Sequence, residues 1–377
     1  MMNSKVSNVV VIGAGIFGVS TAVQLVRRGV ATVLMNDGPV ANGASGRSLS
    51  WLNSSRWRSD AYHRLRMAGL DRYRTLAHRH PDADWLRFDG GLTWDADDDG
   101  NRIEAAYRHE VSLAYDAQHL AAGQVPAVTP GVDISAITPQ GAIFNPGEGW
   151  VDLPSLIRLL VEEFEQRGGR LVTDAGAARV IVEGRRAVGA ATARGGEIRA
   201  DAVLLATGPS VPRMVTEAGQ RIDDGTPVSL LVTTKPVDAP LKAVLNTPRV
   251  AIRPAPGGAF ALDSGWSEEE VEIRPDGTYG VRQETVDGLL AEASKVLEGN
   301  PKLELDRYGV GRKPIPGDGD PVFGELQAIP GYFVAFSHSG ATLGLIAGEL
   351  LAFEIATGER HPMLAPFRPE RFRTAAR

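Results

Sequence analysis

The N-terminal stretch from Val9 to Gly38 constrains the fold more than any other part of the chain, and it reads VVVIGAGIFGVSTAVQLVRRGVATVLMNDG. Its first four residues form a continuous apolar run, which is typical of a parallel strand buried on both faces. A glycine-rich turn follows, then helical spacing over 19–28, and then a second apolar run over 31–35. The stretch therefore predicts the strand–turn–helix–strand unit that begins a doubly wound α/β domain.

Three glycines of the turn, Gly13, Gly15 and Gly18, have the spacing G-x-G-x-x-G. The first permits a tight turn, the second lets the backbone approach a pyrophosphate, and the third lets the helix pack on the strand. The phosphates would lie at the N-terminus of the helix, where free N–H groups and the dipole favour anions. The motif predicts a dinucleotide site, but NAD and FAD both use it.

The composition excludes several other kinds of site. The 377 residues include no cysteine, which rules out disulfides, thiolate metal ligands, cysteine nucleophiles and a cysteine-linked flavin. The net charge of −6 gives no reason to expect a nucleic-acid partner, and the seven histidines show no ligand spacing, so no metal is predicted. No apolar run reaches the roughly 18 residues that span a bilayer, and the N-terminus leads directly into the first strand. We therefore expect a soluble, cytoplasmic protein that does not bind membranes.

Three further segments favour FAD over NAD. A loop of small and polar residues, NGASGRSLSWLN over 42–53, lies where an extended cofactor would run past the first unit. A buried strand over 202–205 ends in Ala206, Thr207 and Gly208. Near the C-terminus, the segment FSHSGATLGLIAGELLA reads as a strand, a glycine turn and a helix, which would offer a second helix N-terminus to a ring. The predicted cofactor is FAD.

These segments resemble the D-amino-acid oxidase superfamily of FAD-dependent amine and amino-acid oxidoreductases, which includes glycine and sarcosine oxidases. The resemblance covers nearly the whole chain and is specific for the superfamily rather than for any one member. The segments that carry it are VVVIGAGIFGVSTAVQLVRRG, NGASGRSLSWLN, PGEGWVDLPSLIRLLVEEFEQRGGRLV, ADAVLLATGPSVPRM and GVGRKPIPGDGDPVFGELQAIPGYFVAFSHSGATLG.

The resemblance implies a role for individual positions. Ile16 and Phe17 would lie on the pyrophosphate, and Val180 would flank the adenine through its backbone. Ser50 and Trp51 would lie beside the isoalloxazine, and residues 338–343 would contact it, with the helix dipole stabilising a reduced, anionic flavin. The full set of expected FAD contacts is Gly13, Gly15, Ile16, Phe17, Gly18, Asn36, Asp37, Ala44, Ser45, Gly46, Arg47, Ser48, Ser50, Trp51, Val180, Ala206, Thr207, Gly208, Gly340, Ala341, Thr342 and Leu343.

The chain departs from the family pattern at the end of the second strand. Asn36 stands where the family has an acid that binds the adenosine ribose, and Asp37 follows it. A carboxylate accepts hydrogen bonds from both ribose hydroxyls, whereas an amide offers one acceptor oxygen and an N–H donor group. We expect Asn36 to hold one hydroxyl. Asp37 either takes part in this contact or is a solvated turn residue.

A second departure concerns the substrate. The family places an arginine just before the proline in GVGRKPIPGDGDP to hold the substrate carboxylate, and here that residue is Lys313, beside Arg312. A lysine supplies a point charge instead of a two-pronged donor. The predicted substrate-binding residues are Lys313, Arg312 and Trp51. The alternative for Lys313 is that it is a surface cation.

Other candidates stay open at this point. His338 is the predicted catalytic residue, acting on the flavin or the substrate amine, and ordinary packing is the alternative. Other cations that the sequence offers to a substrate or to oxygen are Arg47, Arg56, Arg58, Arg253, Lys235 and Lys242, each of which is equally well read as a surface charge.

The predicted fold is an α/β one, with a Rossmann-like FAD domain over 1–85, 146–210 and 306–377. A mixed-sheet α+β substrate domain occupies 86–145 and 211–305. The resemblance implies that a C–N bond of an amino acid or secondary amine is oxidised by hydride transfer to flavin. The imine product leaves, and oxygen reoxidises the flavin to give peroxide. The alternatives are a flavin dehydrogenase with another electron acceptor, an FAD-dependent monooxygenase, a nicotinamide dehydrogenase and a flavin-binding protein without turnover. The expected partners are a small amine or amino acid and an electron acceptor.

Overall fold

A computed structural model describes residues 6–194 and 196–372, so the first five residues, which precede the predicted first strand, lie outside the described residues. The chain divides into two compact units. The first comprises Met1–Gly46, Leu153–Pro227 and Arg312–Arg377, and the second comprises Arg47–Asp152 and Val228–Gly311. These bounds differ from the predicted domains, since residues 47–85, 146–152 and 306–311 fall in the second unit and residues 211–227 in the first. That the units are an FAD domain and a substrate domain stays a prediction.

The regular elements follow the sequence patterns closely. The helices are α1 Ile16–Arg27, α2 Asp60–Arg79, α3 Ile103–Ser112, α4 Leu153–Gln166, α5 Val211–Glu217, α6 Gly265–Glu269, α7 Gln283–Val296 and α8 Gly340–Thr357. The strands are β1 Asn8–Ile12, β2 Ala31–Met35, β3 Trp51–Leu52, β4 Leu86–Arg87, β5 Gly91–Thr93, β6 Gln118–Leu120, β7 Ala142–Asn145, β8 Gly149–Val151, β9 Arg170–Val172, β10 Ala178–Glu183, β11 Arg186–Thr192, β12 Gly196–Arg199, β13 Ala202–Leu205, β14 Val228–Thr234, β15 Val244–Asn246, β16 Ala251–Ala255, β17 Ala259–Asp263, β18 Glu272–Ile273, β19 Tyr279–Gly280, β20 Leu305–Arg312, β21 Val322–Glu325 and β22 Tyr332–Phe336.

The first unit is built on a six-stranded sheet in the order β21-β22-β13-β1-β2-β9. All neighbours pair in parallel except the edge strand β21, which is antiparallel to β22. Strand β1 lies inside the sheet, and its apolar residues are buried on both faces, as the sequence predicted. One face of β1 packs with β11 and α5 in a single apolar cluster. Helix α1 packs against α8 and α4. The doubly wound α/β fold is thus confirmed.

Helix α8 is apolar all round. Its length and mean hydropathy of 1.4 would suffice to cross a membrane, yet 67% of it is buried within the fold. It packs along α1 and ends at Gly358, whose φ of +74° gives the left-handed cap that glycine favours. A helix that is hydrophobic all round and surrounded by protein is a core helix.

The second unit contains an eight-stranded mixed sheet in the order β20-β14-β17-β16-β15-β5-β7-β6. One face carries Ile252, Leu262 and Leu245, which pack with residues of α7 in the main apolar cluster of this unit. Residues that alternate with these, among them Arg253 and Asn145, lie on the opposite face because successive side chains of a strand point to opposite sides. A small sheet in the order β3-β8-β4 belongs to the same unit. Three helices of the structure, α3, α5 and α6, were not predicted.

Candidate active site

The glycine-rich turn after β1 is shaped by close backbone contacts. Gly13 has a φ of +107°, and a methyl group added to it would collide with the carbonyl of Ala206 at the end of β13. A methyl group on Gly18 would collide with the carbonyl of Gly13. The two glycines therefore let the turn fit between β1, β13 and α1. A methyl group on Gly15 would meet a side-chain atom instead, the hydroxyl of Ser45 at 3.1 Å.

The N-terminus of α1 is prepared for an anion. Its N-cap residue is Gly15, which has no capping side chain, and the first turn contains no acid. The N–H of Ile16 donates to Ser45 Oγ at 3.0 Å, so this hydroxyl lies at the positive end of the helix. Ala44, Ser45 and Gly46 form a short 3₁₀ turn beside α4. A pyrophosphate fits this site, because the glycine turn lets it approach the backbone N–H groups and Ser45 offers a hydroxyl donor.

A second helix begins at the same place in this unit. A methyl group on Gly340, the first residue of α8, would lie 3.4 Å from Ile16 Cγ2 and 3.8 Å from the ring of Phe17. The positive ends of α1 and α8 are therefore neighbours. Thr342 and Leu343 are almost fully buried, at 1% and 0% exposure, so they offer a cofactor little beyond their backbone. His338 is exposed and precedes this helix, and its catalytic role stays a prediction.

Asn36 is buried and its side chain is used by the protein. Its Oδ1 accepts from the N–H of Ala14 at 3.0 Å, inside the glycine-rich turn. Its Nδ2 donates to the carbonyls of Gly38 and Pro39 at 3.0 and 2.8 Å and to Asn42 Oδ1 at 3.1 Å. The amide thus ties the 38–42 loop to the phosphate turn. This geometry leaves no N–H of Asn36 for a ribose and makes its predicted contact with FAD depend on Oδ1 alone.

Asp37 differs from its neighbour because it is exposed at the end of β2. Among the described residues, its Oδ1 accepts one long hydrogen bond of 3.4 Å, from Asn42 Nδ2. The carboxylate of Asp37 can therefore accept further hydrogen bonds, whereas Asn36 Oδ1 already accepts one from Ala14. Of the two residues, Asp37 is the better placed to accept from a ribose hydroxyl.

The other predicted contacts of the first unit lie on separate elements. Ala206 continues β13, and its N–H donates to the carbonyl of Ile12 at 2.8 Å. Gly208 has a φ of +56° in the turn that follows, where Thr207 Oγ1 points to Met214. Val180 lies in the antiparallel pair of β10 and β11, opposite Ala190. The structure therefore brings Gly13, Gly15, Ser45 and Gly340 to one place and Val180 to another sheet.

The remaining predicted contacts lie in the second unit. The Arg47 side chain runs along Gly309 and Gly311, where an added methyl group would approach its Cδ to 3.3 and 3.2 Å. Ser50 is buried with a φ of +57°, a strained backbone for a residue other than glycine. Its N–H donates to Ser48 Oγ at 3.0 Å, which holds this conformation.

Trp51 follows Ser50 in β3 and lies opposite Trp150 of β8. A methyl group on Gly91 would lie 3.0 Å from Trp51 Nε1 and collide with the carboxylate of Glu148. The glycine therefore makes room for an indole and a carboxyl group on the second face of the large sheet. Trp51 is the residue that the resemblance places beside the isoalloxazine.

The candidate substrate cations differ in burial. Arg312 is exposed and points to the carbonyl of Thr226 and to Asp224, at 3.4 and 3.8 Å. Lys313 is half-buried, and its backbone N–H donates to the carbonyl of Pro227 at 2.9 Å. Lys235 forms an exposed ion pair with Glu304 at 2.9 Å. Arg312 and Lys235 thus have the surroundings of surface charges.

Two arginines of the second unit are less exposed. Arg58 is half-buried over the ring of Tyr62, and burial lowers its pKa to about 10. Arg253 is 4% exposed and lies over the ring of Trp150, and burial lowers its pKa to about 10 as well. From the sequence, both could be substrate cations or surface charges, and the burial of Arg253 excludes a surface charge at that position.

A buried polar network that the sequence analysis did not identify lies in the second unit. Tyr115 donates from its hydroxyl to Glu148 Oε1 at 2.6 Å and accepts from the N–H of Ser54 at 3.0 Å. Burial raises the pKa of Glu148 to about 8, so this carboxyl group is mostly protonated at neutral pH. Burial also raises the pKa of Glu110, whose Oε2 accepts from Asn145 at 2.8 Å.

Comparisons with known proteins agree with the geometry of the glycine turn. The model of the family described as DAO, FAD dependent oxidoreductase, matches residues 8–354. A glycine oxidase from Pseudomonas aeruginosa is 28% identical over 378 residues, which cover 96% of this chain and 98% of that protein.

Solved structures show the same fold. A glycine oxidase from Geobacillus kaustophilus has a TM-score of 0.81 at 20% identity and covers 98% of this chain and 100% of its own. An L-amino acid deaminase from Proteus myxofaciens has a TM-score of 0.83 at 19% identity, with coverages of 98% and 94%. An L-proline dehydrogenase from P. horikoshii has a TM-score of 0.82 at 19% identity and covers 98% of both chains. The predicted resemblance and the predicted cofactor are confirmed: the chain belongs to the DAO family of FAD-dependent oxidoreductases, and its cofactor is FAD.

Proposed function

We propose that the protein oxidises the C–N bond of an amino acid or secondary amine and passes the electrons to oxygen. In the overall balance, an amine and O₂ give an imine and H₂O₂, and water then hydrolyses the imine to a carbonyl compound and an amine or ammonia. The observation that carries this proposal is the anion cradle formed by the glycine turn and the two neighbouring helix N-termini. The glycine oxidase relative, which matches over 96% of this chain, supports the choice of an amine substrate.

When bound, FAD accepts a hydride from the carbon next to the amine nitrogen. The N-terminus of α1 and Ser45 Oγ would hold its pyrophosphate, while Asn36 keeps the adjoining loop against the glycine turn. We place Asp37 on the ribose and Trp51 beside the ring. The start of α8 would stabilise negative charge on the pyrimidine end through its dipole.

The protein's part in the chemistry is orientation rather than proton transfer. An amine that binds in its neutral form needs no base to remove a proton before its C–H bond breaks. Glu148 and Tyr115 are enclosed and bonded to each other, so we assign them a structural role. His338 remains the candidate for contact with the substrate amine because it precedes α8 on the exposed side.

A flavin dehydrogenase is the second candidate. It shares the oxidation of the amine and differs only in the acceptor of the electrons. The structural likeness to an L-proline dehydrogenase, at a TM-score of 0.82, gives this alternative its support.

The test uses protein loaded with FAD. Amines and amino acids are added without oxygen, and bleaching of the flavin absorbance identifies substrates. Oxygen is then admitted, and peroxide formation is compared with the reduction of an artificial dye. Bleaching with peroxide supports the oxidase, and bleaching with dye reduction alone supports the dehydrogenase. A yellow protein that no amine or amino acid bleaches would overturn both.

We also propose that the protein works in the cytoplasm on small molecules. The burial of α8, the most apolar helix described, supports this proposal. Fractionation of cells that express the full chain tests it, and recovery with membranes would contradict it.

A further inference from the structure

Arg253 is a buried cation on the second face of the large sheet. It lies in β16 next to Ile252, which faces the apolar core, so strand alternation directs Arg253 to the other side. Its side chain is 5% exposed. A guanidinium so far from water normally has close acceptors for its donor groups.

The donor groups of Arg253 are poorly matched. Nη1 donates to the carbonyl of Pro254 at 3.0 Å. Nη2 has Asp152 Oδ1 only at 4.0 Å, which is too long for a hydrogen bond. Nε is enclosed and has no hydrogen-bond partner among the described residues. Among the described residues, the Nε–Nη2 edge of this arginine therefore has no acceptor within hydrogen-bond distance.

The same edge binds carboxylates elsewhere in this chain. Arg27 donates from Nε and Nη2 to the two oxygens of Glu163 at 2.8 and 2.6 Å. Arg371 donates from the same two atoms to Asp318 at 2.6 and 3.0 Å. This two-pronged geometry is the one in which a guanidinium recognises a carboxylate most strongly. Arg253 presents it without a protein carboxylate at that distance.

The neighbours of Arg253 place this edge near the candidate ring position. Its Cζ lies 5.2 Å from the ring centre of Trp150, and Trp150 faces Trp51 across the β3–β8 pair. Trp150 Nε1 is also enclosed without a partner among the described residues. Arg253 Nε and Trp150 Nε1 are thus both enclosed donors without a partner among the described residues, and the burial of an incompletely paired charge opposes folding.

We propose that Arg253 binds the carboxylate of the substrate through its Nε–Nη2 edge, the role that the family pattern gives to position 313. The ligand would approach from the Nη2 side, because Nε is enclosed. This inference rests on the proposed function, since it names the acid group of an amino-acid substrate and the residue that selects it.

The test measures binding without turnover. Benzoate and its neutral counterpart benzamide are titrated into the FAD-loaded enzyme, and binding is followed by the flavin difference spectrum and by calorimetry. We expect the wild type to prefer benzoate, and Arg253→Gln to weaken benzoate binding about 10- to 100-fold while benzamide binding is unchanged. Arg253→Lys should retain part of the preference, because it keeps the charge and loses the two-pronged donor. Arg249→Gln is the matched control, since Arg249 is an exposed arginine over Trp266 in the same segment.

Each outcome separates the possibilities. If Arg253→Gln binds benzoate like the wild type, or if the wild type does not prefer benzoate, the proposal is overturned. Loss of the preference in Lys313→Gln with none in Arg253→Gln would return the role to Lys313. Melting curves check folding: benzoate should raise the melting temperature of the wild type and not that of Arg253→Gln. A benzoate preference that depends on Arg253, in an enzyme that oxidises no amine, would overturn the proposed function and leave this inference standing.

Discussion

Substitution of Glu148 by glutamine tests how strongly the buried carboxyl group of the second unit makes the free energy of unfolding depend on pH. The carboxyl group is 0% exposed, and burial is the main cause that raises its pKa to about 8, with the charge of Glu110 acting in the same direction. In the unfolded chain the group titrates near its usual pKa of 4.5. Between these two values the folded state holds one proton more than the unfolded state. The free energy of unfolding is therefore highest below pH 4.5 and falls as the pH rises to about 8.

The size of the effect follows from the width of that window. One pKa unit corresponds to about 1.4 kcal/mol, so the contribution of Glu148 should fall by about 3 kcal/mol between pH 5.5 and pH 7.5. Glutamine has nearly the same shape and keeps an oxygen that can accept from Tyr115, but it does not titrate. Relative to the wild type, Glu148→Gln should gain about 3 kcal/mol over this range.

The measurement is urea unfolding at pH 5.5, 6.5 and 7.5, followed by tryptophan fluorescence in both proteins. Subtracting one curve from the other removes the contribution of His63, whose pKa is lowered by burial. Glu163→Gln is the control, because hydrogen bonds from Arg27 lower the pKa of Glu163 and it titrates below this range. Parallel curves for the wild type and Glu148→Gln would refute the reasoning, since Glu148 would then be ionised in the folded protein at pH 5.5.

Three further substitutions probe contacts that the structure makes specific. Asn36→Asp removes the donors to the 38–42 loop, so the free energy of unfolding should fall by about 1–3 kcal/mol in urea titrations; tighter FAD binding in this variant would contradict the tie described above. Gly91→Ala should lower stability by about 1–3 kcal/mol and change the flavin spectrum by displacing Trp51; an unchanged spectrum would count against that placement. Arg368 and Glu354 form a buried pair at 2.7 and 2.6 Å, so Arg368→Met should cost about 3–5 kcal/mol of unfolding free energy, and Arg368→Met with Glu354→Leu should recover most of it. Equal losses in the single and double variants would argue against a charge effect.

Local signals explain which elements the sequence predicts. Strand β1 and helix α1 were predicted because an apolar run, a glycine turn and helical spacing follow one another without interruption. Helix α3 was missed although a polar residue lies at its start: Asn101 Oδ1 accepts from the N–H of Ile103 at 3.1 Å. The N-cap residue itself is Arg102, which makes no side-chain cap bond. The N–H of Arg102 donates to Asp95 Oδ2 at 2.9 Å, seven residues earlier in the chain, and such a folded turn is not visible as a local pattern.

The site residues also divide into those that local sequence signals predict and those that depend on the folded chain. The tight turn at Gly13 and Gly18 could be predicted because the backbone conformations and close contacts there require glycine. The partners of Asn36 could not be foreseen, because they are carbonyls of a loop whose path the sequence does not define. From the sequence, Arg253 was one of several cations that could bind a substrate or lie on the surface. No local pattern indicates that it is buried over the ring of Trp150.

The two departures from the family pattern have different physical consequences. An acid at position 36 would direct its oxygens at the carbonyls of Gly38 and Pro39, which now accept from the amide. The loop can follow this path only when residue 36 supplies an N–H donor. Glutamate or aspartate at position 36, without other changes, should therefore weaken the FAD site. Recognition of a substrate carboxylate is less restrictive, because any cation that reaches the substrate can neutralise it. A cation on another strand can thus take the place of the one at position 313. The donor that two neighbouring carbonyls require at position 36 has to come from that same position.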